Sequence, residues 1–303
     1  MSRSIRSLAL ILKNKNRPEE SKNLLVSCKN NPDFAPFYAL RAEFVDNRDK
    51  QDVLADLKKA VDLKTNEWRY KKMLTEFYIK HQQESEALSI VEPYYRSHPQ
   101  NYIIGMLYAR CLLLNKKFNE CDVVLSKLKI LPFEGASDGR ELYFETKMML
   151  AIKEIQQKKP KNALKIISSS RIWSENLGVG KPYDENIDDR LEEWLNYICY
   201  QQLRNQETSA AALQKIKSYS LNLNKSPRNL NITNTMVSLW ALEKTGTRKD
   251  ATDWLNKQIS NKPEDRILLW CKDYYEMNKR SALPENDKES SSRILDHLIA
   301  ISN

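Results

Sequence analysis

Gly178-Val179-Gly180-Lys181 places two glycines and a lysine ahead of an acidic run, a composition from which phosphate-binding loops are made. Such a loop requires Gly-x4-Gly-Lys-[Ser/Thr] behind a buried strand, so that backbone amides circle the phosphates and the hydroxyl holds magnesium. Here Pro182 follows the lysine and supplies neither a hydroxyl nor an N–H. A dinucleotide fingerprint fails as well, for want of a third glycine and a preceding strand. "GASDG" at 135–139 matches Gly-x-Ser-x-Gly, but a nucleophile elbow works only on a strand-to-helix turn. The preceding "VVLSKLKILPF" has helical spacing, and His297 alone among the three histidines follows Ser137. "SKLK" at 126–129 lies in that same helical stretch without a companion motif.

Carboxylates at Asp188, Asp189, Glu192 and Glu193 have the chemistry of an acid–base pair. At a helix start, however, acidic side chains accept from free N–H groups and complement the dipole. Asp189 and Glu192 have the spacing of a capping box. The five cysteines (Cys28, Cys111, Cys121, Cys199, Cys271) are widely spaced among apolar neighbours, which reads as buried thiols in a reducing compartment rather than a disulfide or zinc framework. No catalytic residue, metal site or cofactor is expected.

The elements that carry these residues read as helical throughout. Six glycines in 303 residues argue against a turn-rich β protein. Apolar residues recur at three- and four-residue spacing, with no sustained alternation of period two. No apolar run reaches the ~18 residues of a membrane span. "LALIL" near the N-terminus is too short for a signal-peptide core, so a cytoplasmic location is expected. The net charge of +9 falls in residues 1–170, with 30 Lys and Arg against 21 Asp and Glu. Lysines and carboxylates are interleaved there, as on solvated helix faces.

Pro32, Pro99 and Pro132 lie 67 and 33 residues apart, which fits a unit of about 33–34 residues. Ala87, Val91 and Pro99 repeat the spacing of Ala251, Leu255 and Pro263. That is the second half of a tetratricopeptide repeat. A small residue lets two helices approach, the apolar residue one turn on fills their seam, and proline stops the helix. Eight helical pairs follow, from "SIRSLALILKN" with "EESKNLLVSC" to "RILLWCKDYYEMNK" with "SSSRILDHLIAI". The expected fold is all-α, an α-solenoid of about eight stacked antiparallel helix hairpins in a tetratricopeptide-like right-handed superhelix. Residues 1–218 form the array, 219–229 a hinge, and 230–303 hairpins that continue or cap it.

At residues 131–218 the chain also resembles the C-terminal tetratricopeptide region of large bacterial proteins with an N-terminal β-rich domain of unknown function. The resemblance rests on "LPFEGASDGRELY" and "RIWSENLGVGKPYD", matching at Glu134, Gly135, Glu175, Asn176, Leu177, Gly178, Gly180 and Lys181. It implies a fold and a domain context, and that this chain is part of a longer protein; it implies no reaction. Ser174 stands where the family often has proline, and the first loop has fewer glycines.

The expected function is non-enzymatic binding of a protein or peptide partner. Loops 132–139 and 174–187 leave the same edge of a solenoid and should lie side by side. Their candidate ligand or partner residues are Phe133, Glu134, Asp138, Trp173, Glu175, Asn176, Lys181 and Tyr183. Asn176 and Lys181 would supply donors, and Phe133 or Tyr183 a platform, for a small polar ligand or a β-rich domain of the same or an associated protein. The alternatives are a carbohydrate-associated or enzyme accessory module at these loops, and weak nucleic-acid binding through the basic half. No specific nucleic-acid partner is expected.

Overall fold

The computed structural model describes residues 2–28, 32–44, 49–131, 137–222, 231–278 and 289–302. Among these residues all repetitive structure is helical. The α-helices are α1 (Ser2–Asn14), α2 (Pro18–Val26), α3 (Ala35–Phe44), α4 (Lys50–Leu63), α5 (Trp68–Lys80), α6 (Glu84–Ser97), α7 (Tyr102–Leu114) and α8 (Phe118–Lys127). They continue with α9 (Asp138–Gln156), α10 (Pro160–Ser170), α11 (Arg190–Gln202), α12 (Gln206–Leu221), α13 (Ile232–Thr245), α14 (Arg248–Asn261), α15 (Arg266–Met277) and α16 (Glu289–Ser302). Two units emerge, residues 1–129 and 130–303. None of the described helices is long and apolar enough to cross a membrane.

The pairing follows from small residues set twelve positions apart. Ala9 and Ser21, Thr75 and Ala87, Ala109 and Cys121, and Ala151 and Ala163 are all buried. Ser21 Oγ donates to Ala9 O at 2.8 Å and Cys121 Sγ to Ala109 O at 3.2 Å, so each side chain touches the facing helix backbone. One turn on, Leu25, Val91, Leu125, Ile167 and Leu255 are buried. The alanine-then-apolar pattern seen at Ala87 and Ala251 therefore recurs with serine or cysteine in the small position. Burial holds the Cys111 and Cys199 thiols at about 12, so neither is a nucleophile near neutral pH.

Between the two helices of a pair, one turn is used five times. Asn16, Gln82, Lys116, Lys158 and Arg204 each adopt a φ of 56–59°. The next residue's N–H reaches five positions back, as from Arg17 to Leu12 O and Lys159 to Glu154 O. This is the Schellman helix stop, normally made with glycine. Helix starts are capped by Asn101, Asn205, Asn231 and Asp265, and Thr247 with Asp250 forms a capping box. α12 runs to Leu221, so residues 219–221 of the expected hinge are helical; 223–229 lie outside the described residues.

In the first unit, α1 pairs with α2, α3 with α4, α5 with α6 and α7 with α8. In the second unit, α9 pairs with α10, α11 with α12 and α13 with α14. The first helices α9, α11, α13 and α15 lie side by side in order. α16 departs from the hairpin scheme: its main contacts are with α9 and α13. It lies along the layer of first helices, a placement the hairpin spacing does not predict.

Candidate functional site

The loop that follows α10 is built against the chain just after α8. Ile130 N donates to Asn176 O at 2.8 Å. A Cβ at Gly139 would stand 2.7 Å from Leu177 O, so only glycine allows this approach. Gly178 caps the short turn Glu175–Leu177 in the left-handed region, φ +70°, against Ile130 and Leu131. Gly180 faces open space.

Phe133 and Glu134 lie outside the described residues. Asp138 begins α9 and is exposed. Trp173 is half-buried beneath the Arg140 guanidinium, 4.4 Å from its ring centre. Glu175 is exposed in its turn, and the Asn176 carboxamide accepts from Ser174 Oγ at 2.5 Å. Lys181 pairs with Asp184 at 2.7 Å, both side chains exposed, which contributes little. Tyr183 is 78% exposed. Trp173 and Asn176 are thus engaged within the fold, whereas Lys181 and Tyr183 face outward.

Beneath this edge lies a set of buried charges that the helix-start reading of the acidic run does not anticipate. Asp189 makes no side-chain cap, so the expected capping box with Glu192 does not form. Asp188 instead grips Arg190 through two bonds, Nε to Oδ1 at 2.9 Å and Nη2 to Oδ2 at 2.6 Å. Arg190 has no exposed surface. It also donates to Ser238 Oγ at 2.8 Å and lies over Tyr219, while Asn234 Nδ2 donates to Asp188 at 2.8 Å. The signal available in the sequence was an arginine at the first position of a helix, where the dipole disfavours a cation.

Glu193 receives Arg171 Nη2 at 2.7 Å and Lys215 Nζ at 3.3 Å. Burial alone raises its pKa, but the two cations outweigh burial and hold it below the ordinary value. Glu192 is buried as well, with no hydrogen-bond partner for Oε2. Burial, helped by Asp189 and Asp188 and opposed by Arg171, raises it to about 7. Burial also lowers Arg140. These groups tie the loop's two ends into the helices.

A second feature is the layer under α16. Ile294 and Leu298 enter the cluster built from Met148, Trp194, Leu195 and Val237. Leu295 enters a neighbouring cluster with Met236 and Leu239. Arg293 forks onto Glu145 at 2.7 and 2.9 Å, and Glu145 is 2% exposed. Trp194 Nε1 donates to Ser302 Oγ at 3.0 Å, and Thr233 Oγ1 to Ser291 O at 2.5 Å. A cavity of about 180 Å³ opens beside Phe144, Leu191 and Ile294.

No family model matches the sequence, and no curated protein matches it. Among solved structures, the chain is similar to Naa15/Naa10 bound to HypK-THB at 12% identity, covering 88% of this chain and 38% of that one, with a TM-score of 0.48. It is similar to Pseudomonas aeruginosa pilF at 12% identity, covering 86% and 99%, TM-score 0.40. It is similar to the P58(IPK) TPR domain at 13% identity, covering 99% and 66%, TM-score 0.36. The tetratricopeptide-like character of the chain rests on its own helix pairs, with their buried small residues and repeated turns.

Proposed function

We propose that the protein is a non-enzymatic scaffold that binds a protein or peptide partner through its layer of first helices. One observation carries this reading: α9, α11 and α13 lie side by side, and apolar residues on this layer already hold a helix. Stacked helix pairs bury one side of each pair and leave the other for recognition. The test is photo-crosslinking of the full chain in host extract, with crosslinkers placed at Glu141, Trp240 and, as a control, Ser126. Specific crosslinks at Glu141 and Trp240 support the reading. Partners that crosslink at Ser126 alone, or none at any position, overturn it.

The edge at Asp138, Trp173, Glu175, Asn176, Lys181 and Tyr183, with Phe133 and Glu134, is a second proposed contact. Its occupant would be a β-rich domain of the same or an associated protein, as the family resemblance implies. The exposure of Tyr183 next to Lys181 favours it. Loss of a partner from the Asn176→Ala/Lys181→Ala protein supports this contact, and retention of every partner removes it.

A further inference from the structure

The layer under α16 has a shape and a charge that define what it can hold. Its floor is apolar, and at one end sits Glu145, a carboxylate that burial would strand without a cation. α16 answers both features at once. Arg293 supplies a bidentate partner for Glu145, Ile294 and Leu298 fill one ridge, and half-buried Ile301 extends it. Serines at its two ends meet Thr233 and Trp194. This helix reaches its seat from far along the chain, since Arg293 and Glu145 are 148 residues apart. Beside Ile294 the cavity of about 180 Å³ is also lined by Glu141, Glu145, Asn231, Thr233 and Asn234.

We propose that this face is a binding site for an amphipathic helix bearing α16's own pattern, and that α16 occupies it in cis. The partner helix carries an arginine, aliphatic residues at the two positions directly after it, and further aliphatic residues five and eight positions after the arginine, as Ile294, Leu295, Leu298 and Ile301 do in α16. Apolar burial supplies the attraction. The buried carboxylate supplies selectivity, because a helix without the arginine leaves Glu145 uncompensated. A site filled in cis binds more weakly by the fraction of time it is open, so a partner must displace α16. This inference rests on the scaffold reading above and names the partner's chemistry.

The probe is a fluorescein-labelled peptide of residues 289–302, titrated into the full chain by anisotropy. Arg293→Glu and, separately, Leu298→Ala weaken the cis helix, and circular dichroism checks that each variant stays folded. The peptide should bind each variant at least tenfold more tightly than it binds the native chain. A peptide carrying R293E should bind at least tenfold more weakly than the native peptide. Glu145→Arg combined with Arg293→Glu restores the pair and should return the native peptide to weak binding. Equal binding within twofold to the native chain and to both folded variants overturns the proposal. Unfolding of both variants also overturns it, since α16 would then be an inseparable part of the core. Crosslinks to a partner at Glu141 and Trp240 that the α16 peptide does not reduce would defeat this inference while the scaffold reading stands. Absence of such crosslinks would defeat the scaffold reading itself.

Discussion

The glycine-bearing edge and the layer beneath α16 belong to the same unit and differ in where their chemistry lies. At the edge the conspicuous side chains are on the surface: Lys181 is satisfied by Asp184 and Tyr183 projects into solvent. What fixes the edge centres on buried groups, Asp188 with Arg190 and the Glu193 carboxylate, which the more exposed Arg171 and Lys215 reach. At the layer the opposite holds, because a buried carboxylate and an apolar floor meet a helix that supplies the complement. The contrast teaches that the two regions expose different chemistry: the edge presents Lys181 and Tyr183 to solvent, while the layer keeps its carboxylate and apolar residues under a helix.

Three variants sharpen that contrast, the largest effect first. Arg190→Ala leaves Asp188 buried without its cation, and breaking a buried pair in this way costs about 3–5 kcal/mol. Urea unfolding of the variant should show this loss, and a loss below about 1 kcal/mol would mean the pair is not what anchors the loop.

Glu192→Gln tests the buried acid, which faces Arg140, Arg171, Asp188 and Asp189. With a folded value of about 7 against an unfolded value of about 4.3, the folded chain binds the extra proton between these limits. The stabilisation is complete below the unfolded value and is lost as pH rises through about 7. It amounts to on the order of 3 kcal/mol. The glutamine variant should match the native chain only below about pH 4, and should exceed it in stability increasingly up to about pH 7. Parallel stability–pH curves would remove Glu192 from the account. The smallest effect belongs to Asn176→Ala/Lys181→Ala, within about 1 kcal/mol in a thermal melt; a larger drop would make the exposed edge structural.

Much of this architecture was legible because helical spacing and the alanine-then-apolar pattern report directly on helix seams. Ala87 with Val91 and Ala251 with Leu255 marked two pairs, and all four are buried. Ser21 and Cys121 escaped that pattern, since what the crossing requires is a small side chain able to touch backbone, not alanine itself. The short turns escaped as well, because Asn16, Gln82, Lys116, Lys158 and Arg204 do the work glycine usually marks. The helix-start reading of the acidic run at 188–193 holds for Asp188, whose Oδ1 accepts from Arg190 N at 3.3 Å, but not for the Asp189–Glu192 box; the pairing of Glu193 with Arg171 and Lys215, each 22 residues away, follows no local spacing rule. α16 was read as the second helix of a hairpin, since its own amphipathic pattern does not say which face it will cover.

The central claim is that α16 is a separable occupant of the face formed by α9, α11 and α13. Native-state hydrogen exchange on the full chain tests it most directly, because it resolves partial openings from global unfolding. The account predicts that α16 amides exchange through an opening at least tenfold more frequent than the one exposing α9, α11 and α13, with a weaker dependence on denaturant. Exchange of all four helices at one common rate, with one common denaturant dependence, would contradict it.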